Sequence, residues 1–216
     1  MAQCIQGIEA FQEALETPVE VLLVDDGSTD GTADLARELG ADLPHFRVLS
    51  RPHLGKGAAL QAGVAESSGA SVFLADADWS MPPEQILRFL STDATDVVRI
   101  GSREAQGSRR HGEPLRRHLV GRVFNALVRR AALPGIQDSQ CGFKLLPGKL
   151  AREVFSEMRT TGWAFDVELL LRIQKCGIPI QEVAIDWHYD PNTRLRPLRD
   201  SVSMAWEVFA IARRVP

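Results

Sequence analysis

Cysteine is scarce in this chain of 216 residues: Cys4, Cys141 and Cys176 are the whole set, widely separated and without metal-type spacing. An odd, unpatterned set excludes a disulfide scaffold and reads as reduced thiols in a cytoplasmic protein. Long apolar runs are also missing. No stretch approaches the roughly 18 apolar residues that a spanning helix needs, and the N-terminus lacks the basic and apolar regions of a signal peptide. Neither sign of charge is in large excess. A net charge of -3 argues against a general nucleic-acid binder. No internal repeat, low-complexity tract or linker divides the chain, so one domain over residues 1–216 is expected, with enough apolar content (44%) for a core. No Gly-x-Gly-x-x-Gly follows the first predicted strand, which speaks against a dinucleotide-binding oxidoreductase.

What is present alternates. Ile5–Glu16 has helical spacing, with Ile5, Ile8, Phe11 and Leu15 on one face. Val19–Val24 is apolar apart from Glu20 and predicts a buried parallel strand. Helix Thr29–Leu39 follows, capped by Ser28 or Asp30 and stopped by Gly40. Strands Phe46–Leu49, Ser71–Ala75 and Val97–Ser102 then alternate with helices Lys56–Glu66 and Pro83–Leu90. This order predicts an α/β fold with a mostly parallel, Rossmann-like sheet flanked by helices. Beyond it come helix Arg116–Ala132, short strands Phe143–Leu146 and Val183–Trp187 around helix Phe165–Cys176, and a C-terminal amphipathic helix Leu198–Arg214. The loops Glu104–Pro114 and Tyr189–Pro197 are expected to be the most mobile parts.

Charge is unevenly placed. Nine arginines lie between Arg99 and Arg130, against only Glu104 and Glu113. Such a patch suits phosphates or an anionic membrane surface, or is simply a solvated helix face. Carboxylates stand at predicted strand ends: Asp25 and Asp26 in "VLLVDDGSTDGT", Asp76 and Asp78 in "VFLADADWS". Ligands of open α/β sheets bind beyond the carboxyl ends of the strands. A carboxylate there can accept bonds from a base or ribose, or hold a hard cation. If the Asp-x-Asp segment is extended, both side chains point the same way and can serve one site. Each signal has a plain alternative. Asp-Gly-Ser is a common turn, and "GKG" (residues 55–57) is either a phosphate-facing helix N-terminus or a mere helix start.

As a set, "VDDGSTDGT", "GKGAALQAG", "ADADWS" and "DSQCGFKLL" resemble family 2 of the inverting glycosyltransferases, which have the GT-A fold. Residues 138–144 and "WAFDVELLLRIQKCGIPIQEVAIDW" resemble the dolichyl- or polyprenyl-phosphate β-glucosyltransferase branch, near the dolichyl-phosphate mannosyltransferases. The resemblance implies a single GT-A domain and a metal-dependent hexosyltransferase. Asp25, Asp26, Lys56 and Asp76 would bind the nucleotide, and Asp78 with Asp76 would hold Mg²⁺ or Mn²⁺. Arg103 would meet donor or acceptor phosphates. Arg194 and Arg196 would close over the acceptor phosphate. Asp138 would be the base or orienting group near the attacking oxygen, or else a buried structural aspartate. Asp166 and Glu168 could line the same cleft, though one of the two is expected to brace its helix, and His188 is expected to be structural.

Three readings stay open from the sequence. The leading one is transfer of glucose from UDP-glucose to a polyprenyl phosphate with inversion; the others use GDP-mannose with the same acceptor, or keep the fold for a small soluble acceptor. A non-catalytic remnant is a further alternative. Family members begin with one more strand ending in a Pro-x-x-Asn-Glu-like segment, and "MAQCIQGIEAFQEAL" resembles the helix after it. The chain is therefore expected to lack that strand, to leave Val21 and Val24 on an open edge, and to be poorly soluble with weak nucleotide binding. A lipid acceptor also implies peripheral contact with the inner face of the cell membrane. The candidates are Leu119, Val123 and Leu127 on one helix and Val202, Trp206 and Phe209 on the last. The alternative is that both faces pack on their own domain.

Overall fold

The computed structural model describes residues 1–15, 17–90, 97–191 and 197–215, apart from the side chains of 197–203. Helix α1 (Ala2–Glu13) lies three residues earlier than its spacing predicts, and Glu16 falls outside the described residues. Its apolar face, Cys4, Ile5 and Ile8, packs with Val21 and Leu23 of strand β1 (Val21–Asp26) and Phe46 of strand β2 (Phe46–Arg51). The two strands run parallel, with Val21 opposite Phe46 and Asp26 opposite Arg51. Helix α2 (Thr32–Leu39) joins them and starts later than expected. Gly27 and Gly31 take left-handed φ values of 77° and 79°, so the residues from Ser28 to Asp30 form a turn instead of a first helical turn. The Asp30 carboxylate then accepts the Thr32 amide at 3.1 Å.

Helix α3 (Lys56–Glu66) falls where predicted, followed by strand β3 (Ser71–Leu74), a 3₁₀ helix (Pro83–Phe89) and strand β4 (Val98–Ser102). The remaining elements are β5 (Arg109–His111), α4 (Leu115–Ala131), β6 (Lys144–Pro147), α5 (Gly148–Glu157), α6 (Phe165–Lys175), β7 (Ile180–Ala184), β8 (Asp186–His188) and α7 (Pro197–Arg214). The main sheet has the order β3-β6-β4-β7. β4 and β7 are parallel, while β6 runs antiparallel between β3 and β4. β5 and β8 form a separate parallel ribbon.

Three further details depart from the sequence expectation. β5 occupies part of the loop Glu104–Pro114. The single strand Val183–Trp187 is in fact two, β7 and β8, which belong to different sheets. The first strand, expected to be buried, is half-buried along all of its length. The cause is topological: β1 pairs with β2 alone, and no described ladder joins it to the main sheet. Helices make up part of the loss, since α3 and α1 lean against β1 and the Val24 side chain abuts Gly63.

The core forms on both faces of the main sheet. On one face Val72, Leu74, Ile100 and Leu146 pack under helices α4 to α7, through Val128, Phe155, Leu169 and Val208. On the other, Phe143, Leu145, Ile185 and Trp187 pack with Phe89 and Ile86 of the 3₁₀ helix. Phe143 meets Phe73, Trp79 and Phe89 edge to face at 5.1, 6.4 and 6.1 Å. Strand alternation decides which side chain goes where. Leu74 lies opposite Lys144 in the β3–β6 ladder and Val72 opposite Leu146, so Lys144 shares the face covered by α6. A lysine there, 1% exposed, requires a partner in the core.

Candidate functional site

The carboxylates of "VDDG" sit at the end of β1, as the strand pattern predicts, but their bonds differ. Asp25 receives the Ser28 amide on both oxygens at 3.3 Å, holding the turn after the strand and not the helix itself. Asp26 accepts the amides of Leu54 (2.9 Å) and Gly55 (3.0 Å), and its carboxylate stands 2.9 Å from His53 Nδ1. Asp26 thus ties the end of β1 to the loop that leads into α3.

Asp76 and Asp78 follow β3, but not in the extended geometry expected of Asp-x-Asp. The strand ends at Leu74, and the Trp79 amide donates to the Asp76 carbonyl at 3.3 Å, closing a turn. Trp79 takes a φ of 49° within it. Asp78 is exposed and receives the Ser80 amide at 2.9 Å. Asp76 is half-buried and pairs with Lys56 at 2.6 Å. The two carboxylates thus lie in one turn and not along an extended strand.

Lys56 gathers several of these residues around its ammonium. Its ammonium lies 5.6 Å from the Trp163 ring and 5.9 Å from the Phe165 ring, as well as against Asp76. Burial alone would lower its pKa, but the charges of Asp76 and then Asp166 outweigh burial and hold it above the ordinary lysine value. The glycines of "GKG" have a packing purpose. The amides of Gly57 and Ala58 donate to the Thr161 carbonyl at 2.8 and 3.3 Å. A Cβ on Gly57 would stand 2.7 Å from the Thr160 carbonyl oxygen. The start of α3 is therefore satisfied by the protein itself, which favours the plain helix-start reading of this motif over a phosphate-facing one. Nothing in the sequence marked Trp163 or Phe165 as neighbours of Lys56.

Two residues expected to act separately, Arg103 and Asp138, are joined. Arg103 donates from Nε to Asp138 Oδ2 at 2.7 Å, from Nη2 to Oδ1 at 2.8 Å and from its amide at 3.0 Å. Asp138 is fully buried, and its own amide is held by Glu182 at 2.9 Å. Burial would raise the Asp138 carboxyl, but the Arg103 guanidinium brings it down to about 2. Arg103 moves the other way: burial would lower it, and Asp138 more than compensates. In this arrangement neither Asp138 oxygen is a free base. Next to Asp138, Ser139 Oγ and Gln140 Nε2 are buried with no hydrogen-bond partner among the described residues.

Asp166 and Glu168 separate. Asp166 pairs with Lys144 at 2.5 Å inside the core. Glu168 accepts the Thr160 amide at 2.8 Å and pairs with Arg214 at 2.7 Å and Arg172 at 3.1 Å, bracing α6 against α7 and the 157–160 segment. A surface hollow lined by Arg159, Arg172 and Arg214 lies on that side and contains none of the expected site residues. The His188 ring stacks on His111 at 4.4 Å in the small ribbon. Arg194 and Arg196 lie outside the described residues.

The arginine-rich stretch divides in two. Arg99 donates to the Phe89 carbonyl in the core, Arg103 holds Asp138, and Arg110 pairs with Glu104 (2.6 Å) and Glu113 (2.7 Å). Arg116, Arg122, Arg129 and Arg130 are exposed on α4. Leu115, Leu119 and Val123 on the same helix are 81%, 62% and 71% exposed, and Trp206 on the adjacent α7 is 76% exposed. Leu127, in contrast, is half-buried against the core, and the Val202 side chain is outside the described residues. No helix among the described residues is long and apolar enough to cross a membrane.

Comparison with known proteins gives a consistent family. The profile of glycosyl transferase family 2 matches residues 3–155. A dolichyl-phosphate beta-glucosyltransferase of Trichomonas vaginalis is 31% identical over 201 residues, covering 89% of this chain and 59% of that protein. One from Mus musculus is 35% identical over 208 residues, covering 90% and 64%. The chain thus spans roughly three fifths of the length of such relatives. Among solved structures, glucosyl-3-phosphoglycerate synthase of Mycobacterium tuberculosis, in complex with Mn²⁺, UDP and glucosyl-3-phosphoglycerate, superposes with a TM-score of 0.66 at 23% identity, over 97% of this chain and 74% of that one. Mannosyl-3-phosphoglycerate synthase of Rubrobacter xylanophilus gives 0.70 at 23% identity, over 99% and 68%. These likenesses identify the sheet and its helices as a GT-A fold.

Proposed function

The chain belongs to glycosyl transferase family 2, and from that premise we propose that it transfers glucose from UDP-glucose to a polyprenyl phosphate with inversion. The observation that carries the reading is the grouping of Asp76, Asp78 and Lys56 at the carboxyl end of β3, in a chain whose relatives are dolichyl-phosphate beta-glucosyltransferases. Asp25 and Asp26, at the end of β1, take the base and ribose side of the donor.

The donor's diphosphate calls for a hard divalent cation, and the residues fit one. Asp76 and Asp78 offer carboxylate oxygens, the donors such ions prefer. No group of three or more His, Cys, Asp or Glu suited to a metal occurs among the described residues. The two aspartates would therefore hold the ion together with diphosphate oxygens, as Mg²⁺ or Mn²⁺. When bound, the ion neutralises charge gathering on the departing UDP. Lys56 orients Asp76 through their ion pair.

The acceptor side needs cations more than a base. A phosphate monoester is largely ionised at neutral pH, with a charge of about −1.5 to −2. Its oxygen attacks the anomeric carbon in line with the leaving diphosphate. Asp138 then serves by fixing the Arg103 guanidinium, and Arg194 and Arg196 contact the acceptor phosphate. A lipid acceptor also accounts for the exposed Leu115, Leu119, Val123 and Trp206 beside the α4 arginines, which suit shallow contact with an anionic membrane surface.

The test is transfer of labelled glucose from UDP-glucose to dolichyl phosphate in detergent with Mn²⁺. Labelled lipid from UDP-glucose, and none from GDP-mannose, is expected. Product from GDP-mannose, or from 3-phosphoglycerate in place of the lipid, would replace the donor or the acceptor assignment respectively.

A further inference from the structure

Lys144 and Asp166 form a nearly sealed ion pair directly behind the cleft, with side chains 1% and 5% exposed. We propose that this pair is a positioning device for Asp76: it fixes the turn on which Asp76 rests and leaves Lys56 free to bind Asp76. The inference builds on the reading of Asp76 as a donor-side carboxylate.

Register gives the first link. The β3–β6 ladder pairs Leu74 with Lys144, so extending it by two residues sets Asp76 against Gly142. The contact exists: a Cβ added to Gly142 would collide with the Asp76 carboxyl group. Only the absence of a side chain at residue 142 lets that carboxyl lie where it does. The Cys141–Gly142 turn is held in turn by Lys144, whose ammonium donates to the Cys141 carbonyl as well as to Asp166. Lys144 therefore pins the surface against which Asp76 packs.

Charge order gives the second link. The cleft and its backing alternate in sign, from Asp76 to Lys56, Asp166 and Lys144. Asp166 lies close enough to Lys56 for their charges to interact, and Phe165 lies 5.9 Å from both lysine ammoniums. With Lys144 in place, Asp166 has its own partner at 2.5 Å, and Lys56 stays with Asp76 at 2.6 Å. Without Lys144, the nearest cation for Asp166 is Lys56, and Asp76 loses its counter-charge. Neither residue needs to touch a ligand to have this effect.

The experiment is calorimetric titration of the full chain with UDP, with and without Mn²⁺, alongside thermal unfolding. Lys144→Met alone strands a buried carboxylate and is expected to unfold more easily. The informative variants are Lys144→Met/Asp166→Leu, which replaces the pair by apolar groups of similar size, and Asp166→Asn, which keeps the shape and drops the charge. In the double variant, which also removes the bond to the Cys141 carbonyl, the enhancement of UDP binding by Mn²⁺ is expected to fall by about tenfold, one carboxylate's worth of misplacement, while metal-free UDP binding and the cooperative unfolding transition persist; in Asp166→Asn, where Lys144 still holds that carbonyl and Lys56 has no competing carboxylate, the enhancement is expected to stay within about twofold of the parent. An enhancement within about twofold of the parent in the double variant, or an equal fall in Asp166→Asn, would overturn the proposal. Asp76→Asn separates the two levels. If it leaves the enhancement untouched, the donor-side reading of Asp76 fails; if it abolishes the enhancement while the double variant does not lower it, only the positioning role fails.

Discussion

Arg103 grips Asp138 through two parallel bonds of 2.7 and 2.8 Å, and the carboxylate so held is completely buried. The fork geometry makes the pair a single rigid unit. Removing one charge leaves the other uncompensated, which in a buried pair costs about 3–5 kcal/mol. Asp138→Asn is therefore expected to lower the unfolding temperature and to cut turnover by about a hundredfold, the scale of losing one preorganised electrostatic contact. UDP affinity should hold on the proposed reading, in which Asp138 serves the acceptor side. Turnover equal to the parent's would show that the pair is structural only.

Acid stability follows from the same pair. The Asp138 carboxyl is held at about 2, below its ordinary 3.8. A carboxyl depressed in the folded state contributes stability that is complete above its unfolded pKa and is lost as pH falls through the folded one. The contribution, about 2 kcal/mol, should disappear between pH values of about 4 and 2. Urea unfolding across that range should show a steeper decline for the parent than for Asp138→Asn. Equal slopes would refute the assignment.

Glycine substitutions should separate the cleft from the surface. At Gly57 a new Cβ meets the Thr160 carbonyl at 2.7 Å and the Phe165 side chain at 2.8 Å. Gly57→Ala should destabilise by about 1–3 kcal/mol through overpacking and weaken UDP binding as the segment beside Lys56 shifts. At Gly121, on exposed α4, a Cβ meets nothing within 4 Å. Gly121→Ala should stabilise the helix by up to about 1 kcal/mol and leave UDP affinity alone. Calorimetry and thermal unfolding of the two variants side by side check both statements.

Membrane contact has its own test. Leu119→Glu together with Val123→Glu places acids on the exposed stripe of α4 and leaves the core intact, since both residues are more than 60% exposed. Flotation with vesicles containing anionic lipid should fall by about tenfold or more, given the apolar area withheld from the interface. UDP binding should be unchanged. A parent that stays out of the floating fraction would remove the interfacial role altogether.

If Arg194 and Arg196 contact the acceptor phosphate as proposed, Arg194→Ala and Arg196→Ala are expected to raise the apparent KM for the lipid phosphate by about tenfold each, the scale of one charge-assisted hydrogen bond. Donor KM should stay within a factor of about two. A loss confined to donor KM would move these arginines to the other substrate.

Much of this was legible in the residues. Alternation of apolar runs with helical spacing located β1 to β4 and α3, because those elements follow their local periods. Helix α5 passed unnoticed because Pro147 and Gly148 open it and read as a turn. The direction of β6 could not be read locally, since antiparallel pairing on both sides is decided by its neighbours. In the cleft, the aspartates were found by type and position, but their partners were not. That Arg103 holds Asp138, or that Asp26 holds the Leu54 and Gly55 amides, depends on contacts between residues 28 to 35 positions apart. Lys144 did carry a readable signal: a cation between Phe143 and Leu145 in a buried strand demands an interior counter-ion.

The gap between β1 and β3 has a mechanical consequence. The two pairs of candidate aspartates ride on different plates, Asp25 and Asp26 on the β1–β2 pair, Asp76 and Asp78 beyond a strand of the main sheet. No described ladder locks their spacing. It is set by rods laid across the seam: α3, which leans on β1 and carries Lys56 to Asp76, and α1, whose Cys4 carbonyl takes the Trp79 indole at 3.0 Å. Helix packing, and not a shared ladder, therefore sets the distance between the two plates, and a ligand touching both would bridge the seam.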